Sequence, residues 1–241
     1  MVESTGAAVA PPTGSFPYRL FGLVAFALLI GSQVMGFMIS PPDRDMGHLQ
    51  KIMYVHVSAA WNMMIAFFVV AISSLLYLWK GQERHDLLAA AAAEVGALLT
   101  ALTLALGSIW ARPTWGIWWT WDARLTSTAV LLLVFVGYLS LRSFVEDVER
   151  RAQWSAAVGI LGALNVPIVY MSVKWWRTLH QPQSSPSTVD PYYTLSLRAN
   201  AIAFMLVTIY FIMTRYKALR WERAAEREDE RAIIEGGPGD A

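Results

Sequence analysis

The chain has 241 residues, 56% of them hydrophobic and only 15% charged, and its mean hydropathy is +0.41. Soluble domains carry about 25% charged residues, so a disordered, collagen-like or ordinary soluble protein is excluded. The absence of cysteine removes disulfide scaffolds, thiolate metal sites and thioether attachment through Cys-x-x-Cys-His. A formal net charge of +1 shows no bias towards nucleic acid, so any basic character is local.

Six apolar stretches account for most of the chain, at residues 20–39, 55–79, 87–109, 125–141, 154–173 and 197–216. Crossing the hydrocarbon of a bilayer takes roughly 17–25 helical residues, and each stretch fits, the fourth at the short end. A closed barrel would instead show alternating segments of about ten residues. The expected fold is an all-α integral membrane protein with six transmembrane helices and both termini on one side. A cleaved signal is not expected. No basic residue precedes Arg19, and Ser40-Pro41-Pro42 offers no small-residue cleavage site. The chain divides into a tail (residues 1–17), a membrane domain (18–216) and a charged tail (217–241).

Lys and Arg in the flanks set the orientation. The side of the termini holds 12 of them, six from Arg215 onward, against 7 on the far side. The C-terminal tail therefore carries the inference that both termini are cytoplasmic. Its alternating Arg and Glu suit a solvated helix continuing from the last span, ending at Gly236-Gly237-Pro238.

Taken in chain order, the polar residues inside and beside the spans are few. His48 lies in a polar loop, and His56 stands at the outer end of the second span in Met53-Tyr54-Val55-His56-Val57. His85 is on the opposite side. Glu94 sits about two turns into the third span among alanines and Gly96. An intramembrane carboxylate is a functional candidate by default; a partner contact and a protonated structural group both fit, and the structural role is preferred. In the fifth span, Asn165 and Pro167 are expected to bend the helix, with Asn165 satisfying the freed backbone. Arg198 opens the sixth span.

The densest feature follows the third span, where five tryptophans fall within residues 110–121. Indoles favour the headgroup level, but a belt needs only one or two rings per helix end. Trp115, Trp118 and Trp119 are spaced i, i+3, i+4, so on an interfacial helix they would form one aromatic face. Such a face suits a large planar ligand, because rings stack offset and bury much area. Asp122 is placed to cap the next helix and to orient Arg124. His180 follows Trp175, Trp176 and Arg177 on the same outer side as His56. A neutral imidazole is the commonest metal ligand, and two can hold a haem iron from opposite faces. Arg112, Arg124, Lys174 and Arg177 surround the area, either pairing with carboxylates such as haem propionates or snorkelling at the membrane surface.

The run Trp115-Gly116-Ile117-Trp118-Trp119-Thr120-Trp121-Asp122-Ala123-Arg124-Leu125-Thr126-Ser127 resembles the tryptophan-rich "WWD" signature of haem-handling proteins of cytochrome c maturation. Met53 to Val57, Asn165-Val166-Pro167-Ile168 and Ser172 to Gln181 narrow the resemblance to the CcmC family, over residues 18–216. The resemblance implies a transport and haem-handling subunit rather than an enzyme, in the bacterial inner membrane. It would hold haem b non-covalently at the periplasmic face and present it to a CcmE-like chaperone, with a CcmA-like ATPase, a CcmB-like membrane subunit and a small CcmD-like subunit as partners. Carried over, His56 and His180 would be axial ligands. Trp115, Trp118, Trp119, Trp121 and Asp122 would form the platform, with Arg112, Arg124, Trp175, Trp176 and Arg177 beside it. No G-x-x-x-x-G-K-[ST] run exists, so ATP would be used by a partner. Two other readings remain: a dihaem quinol oxidoreductase, which would need histidine pairs within spans, and a permease subunit whose tryptophans only anchor it.

Overall fold

A computed structural model describes residues 15–182 and 189–235. Its helices are α1 (Phe16–Val34, continued by a π-turn over Met35–Ile39), α2 (Ile52–Lys80), α3 (Glu83–Trp115), α4 (Ala123–Phe144), α5 (Val148–Ala163), α6 (Asn165–Trp175) and α7 (Pro191–Glu235). They make six segments long and apolar enough to cross a membrane, α5 and α6 together forming the fifth. The expected six-span helical fold is therefore present, and the helices run further than the apolar stretches alone suggest. Tyr18 hydrogen bonds to Thr214, and Lys217 lies over the Tyr18 ring, so both ends of the membrane domain meet on one side.

The α2–α3 hairpin is the centre of the bundle, with α4, α5 and α6 packed on one side and α7 on another, while α1 rests mainly on α7. Apolar side chains surround these helices completely, so hydrophobicity alone does not choose the packed face. Small residues do, because helix association in lipid rests on close backbone approach. Ala89, Ala90, Ala91, Ala92 and Ala93 of α3 are all buried. A Cβ on Gly96 would lie 2.4 Å from the Phe135 ring of α4, and one on Gly162 would lie 2.6 Å from the Phe67 ring of α2. On the other face of α2, Ile65, Phe68, Ile72 and Leu75 are exposed towards lipid.

Two carboxylates within the spans, Asp86 and Glu94, are paired with arginines. Arg142, in the last turn of α4, donates to both oxygens of Asp86 in the first turn of α3, at 2.5 and 2.9 Å. Each charge opposes the dipole of its own helix end favourably. Glu94 accepts from Arg215 Nε at 2.5 Å. It is thus one half of an ion pair rather than a protonated structural group. The C-terminal part of α7 is helical, as expected, and it is docked: Arg223 and Arg227 both reach Glu83 at the α2–α3 turn. The chain end beyond Glu235 lies outside the described residues.

The expected irregularity in the fifth span falls at Leu164, which separates α5 from α6 while its backbone stays right-handed helical (φ −66°, ψ −23°). Pro167 has no N–H to offer the Ala163 carbonyl, and α5 ends there. Asn165 does not repair its own helix. Its side-chain amide donates to the Ser127 carbonyl of α4 at 2.8 Å, which ties α6 to α4 beside the outer end of the bundle.

Removing one member of a buried ion pair leaves an uncompensated charge and costs about 3–5 kcal/mol. Arg142→Ala should therefore lower the unfolding free energy in micelles by about 3 kcal/mol. Asp86→Asn combined with Arg142→Met should recover most of the loss. Equal stability of the single variant and the wild type, by denaturant titration, would contradict this role.

Candidate functional site: a two-histidine aromatic cavity

A cavity opens at the outer end of the bundle between α2, α3, α4 and α6. Its volume is about 110 Å³. Side chains from α2 (His56, Val57, Ala60, Trp61, Met63 and Met64) and from α3 (Thr103, Leu104, Gly107, Trp110 and Ala111) line one wall at helical spacing. Arg124 and Thr128 of α4, Tyr170 of α6 and the segment carrying His180 complete the lining.

His56 is buried in the first turns of α2, where the helix backbone fixes its direction. Trp110 meets it edge-on, with ring centroids 5.8 Å apart. Gly107 lets α3 come close, since a Cβ there would stand 3.1 Å from His56 Cε1. Buried Nδ1 has no well-formed hydrogen bond, only an interaction with the Thr103 backbone.

His180 lies beyond the end of α6. Its Nδ1 is 2.8 Å from the Gln181 carbonyl. A carbonyl only accepts, so Nδ1 carries the proton and the lone pair is on Nε2. Arg124 Nη1 also lies 3.5 Å from Nδ1, a contact between two donors. Burial holds the His180 imidazole below its ordinary value, opposed by the Gln181 carbonyl and helped by the Arg124 charge. The neutral, ligating form is the one favoured. The two imidazole centroids are 6.5 Å apart, with ring planes inclined by 33°.

Asp122 caps α4 as expected, accepting from Leu125 N at 2.8 Å. Arg124, however, is oriented by α6. Its guanidinium donates to the Tyr170 carbonyl at 3.2 Å, the Val169 carbonyl at 3.4 Å and Ser172 Oγ at 3.3 Å. The influence of Asp122 on it is that of a nearby charge.

The tryptophans do not form the single helical face that their spacing suggests. Helix α3 ends at Trp115, because Gly116 takes a left-handed conformation (φ 78°) that ends helices and suits glycine. Residues 117–122 then run without a helix. The consequence is a division of the rings. Trp115 and Trp119 line the cavity, and Trp115 approaches the His180 ring edge-on at 6.3 Å. Trp118 and Trp121 are exposed, as are Trp175 and Trp176, which pack edge-on against each other. Arg112 donates to the Gly116 carbonyl at 2.5 Å and closes that turn. It is exposed, like Lys174, Arg177, Arg198 and His48. None of these lines the cavity. Trp110 and Gly107 do, though sequence reasoning passed over them as site residues. The signal available was the spacing of residues 103, 107, 110, 111 and 114, one face of a helix ending in the tryptophan segment. The Nε1 atoms of Trp110 and Trp119 are buried donors without a partner among the described residues.

The family model of heme exporter protein C matches residues 13–231. The chain belongs to this family. It is 42% identical over 188 residues to heme exporter protein C of Bradyrhizobium diazoefficiens, covering 76% of this chain and 72% of the relative. It is 34% identical over 199 residues to heme exporter protein C of Escherichia coli K12, covering 82% and 81%. It is also 42% identical over 147 residues to a putative cytochrome c biosynthesis ccmC-like mitochondrial protein of Marchantia polymorpha, covering 61% of each chain. In this heme exporter protein C family member, the cavity, both its histidines and the tryptophan segment fall within the matched residues.

The lowered His180 value has a consequence for pH. The unfolded chain takes up a proton near pH 6.5 and the folded chain only at a lower pH, so stability is lost as pH falls through that window. His180→Gln, which does not titrate, should make the ligand-free protein's unfolding midpoint less sensitive to pH below about 6.5. An unaltered pH profile in that variant would contradict the burial of the imidazole.

Proposed function

We propose that this protein holds haem b non-covalently at the outer end of its helix bundle as cargo, with His56 and His180 on opposite sides of the iron. The observation that carries this reading is the separation of the two rings. A metal–imidazole bond is about 2.0 Å and the ring centre lies about 1.2 Å beyond its nitrogen, so rings on either side of one iron have centres roughly 6.4 Å apart. The 6.5 Å between His56 and His180 fits. Among the described residues, no group of three or more His, Cys, Asp or Glu could hold an ion alone. A pair of imidazoles therefore suits iron whose other positions are filled by a macrocycle.

The rest of the cavity supports the same cargo. Trp115 and Trp119 offer apolar area for a planar ring system, Arg124 places a cation beside the axial pair for a propionate, and Trp110 packs against His56. A chain without cysteine forms no thioether, so the haem would be held by coordination and packing alone. We infer that it is delivered to a CcmE-like chaperone, in a complex with a CcmA-like ATPase, a CcmB-like membrane subunit and a CcmD-like small subunit. The site then faces the periplasm from the inner membrane and both termini are cytoplasmic. The names of the bacterial and plant relatives, a heme exporter and a cytochrome c biosynthesis protein, support this assignment. The protein acts as a haem-handling subunit and not as an enzyme.

The ligand assignment is tested by haem content and absorption spectra of the purified chain. His56→Ala and His180→Ala should each weaken haem retention and lose the low-spin spectrum, and added imidazole should restore it in part. His85→Ala and His48→Ala should leave both unchanged, and acid acetone should extract all the colour from the wild type. Wild-type spectra in both single-ligand variants would refute the assignment.

The division of the tryptophans makes a separate claim. A stacked ring is worth about 0.5–1.5 kcal/mol beyond its area, so Trp119→Ala should lower haem affinity up to about tenfold without altering ligation. Trp118→Ala should leave affinity within about twofold, since its ring is outside the cavity. Equal losses in the two variants, measured by haemin titration, would show that both rings meet the ligand.

A further inference from the structure

The two imidazoles reach the cavity by different means. His56 belongs to a 29-residue helix, whose backbone ladder holds it in place. His180 has no such support, because α6 ends at Trp175 and residues 176–182 form no helix. A ligand must be held within about 0.5 Å of its working position by its surroundings, so some other contact has to fix this segment.

Three hydrogen bonds do so. Asp122 Oδ1 accepts from Leu125 N at the start of α4. Its second oxygen, Oδ2, accepts from Thr178 Oγ1 at 2.6 Å. Thr178 Oγ1 in turn accepts from the His180 backbone N–H at 3.0 Å. A hydroxyl has one proton and two lone pairs, and here the proton goes to the carboxylate while a lone pair takes the amide. One side chain thus joins the N-terminus of a membrane helix to the backbone of the histidine. The carboxylate that caps α4 serves both ends, one oxygen each.

We propose that Thr178 is a positioning residue for His180, carrying the fixed location of Asp122 to the backbone of the imidazole-bearing residue. The consequence for the iron rests on the proposed function; the ordering of residues 176–182 does not. Hydroxyl chemistry is required at this position, and the methyl group is not.

The experiment uses the full chain in micelles and compares Thr178→Val, nearly isosteric but without the hydroxyl, with Thr178→Ser, which keeps it. Amide hydrogen exchange on the haem-free protein reads the segment directly. Losing a hydrogen bond to a charged group together with the one behind it should speed exchange across residues 176–182 by about tenfold or more. Exchange in α2 around His56 should not change. With haemin bound, Thr178→Val should show a reduced low-spin fraction that added imidazole restores, and Thr178→Ser should match the wild type in both measurements. Thr178→Ala, also lacking the hydroxyl, must reproduce the valine result and serves if that variant does not fold. Unchanged exchange in the hydroxyl-free variants overturns the proposal. So does faster exchange with an unchanged low-spin fraction, or failure of serine to restore the segment. A wild-type chain that binds haemin with no low-spin bis-imidazole spectrum defeats the proposed function, and the exchange comparison then decides for or against the Thr178 relay by itself.

Discussion

In hydrocarbon a polar group must find its partner inside the protein, because no water is available to accept or donate. That constraint shapes the main contacts between helices of this bundle. Asp86 and Arg142 close on each other, Asn165 crosses to the backbone of α4, and buried Asn200 of α7 donates to the Ser32 carbonyl of α1. Hydroxyls such as Thr100 and Thr103 turn back to carbonyls of their own helix. Wherever a side chain bridges two helices it also sets their register, and the register determines which residues reach the outer cavity.

The cavity is one of the places where this rule is relaxed. Two indole donors and an imidazole nitrogen there are buried without a full partner, beside an arginine held by two backbone carbonyls and a serine hydroxyl. Unmet polar groups are expensive; others lie at Asn62, Ser74, Tyr138 and Ser155 within the spans, but those of His56, Trp110 and Trp119 share the cavity lining. The wall supplied by α2 and α3 is rigid, since those helices form the centre of the fold. The opposite wall is assembled from the ends of α4 and α6 and from the irregular segment after α6, tied by Asn165, Arg124 and Asp122. The haem site proposed here would use that combination: one side fixes position, and the other is ordered by a few hydrogen bonds.

The tryptophan segment divides the same labour. Its irregular stretch turns Trp119 inward and leaves Trp118 and Trp121 at the surface, where rings of this kind sit at the headgroup level. Exposed cations at Arg112, Lys174 and Arg177 share that surface. Aromatic density in the sequence is therefore partly cavity lining and partly exposed surface, and the two alternate over a few residues.

Residue pattern alone determined the number of spans, the helical class, the common side of the termini, the Asp122 cap and the placing of His56 and His180 at the same end of the bundle. These follow from length, period and local hydrogen-bonding chemistry, which act within a few residues of chain. Only the tertiary structure decided that Glu94 meets Arg215, 121 residues away, or that Asn165 binds α4 instead of mending its own helix. It likewise decided which tryptophans face the cavity. The spacing of Trp115, Trp118 and Trp119 implied one face only if a helix continued, and Gly116 ends it. Helices that are apolar on all sides carry no record of which face is packed; close approach at glycine and alanine, and the partner each buried polar group finds across the bundle, make that choice.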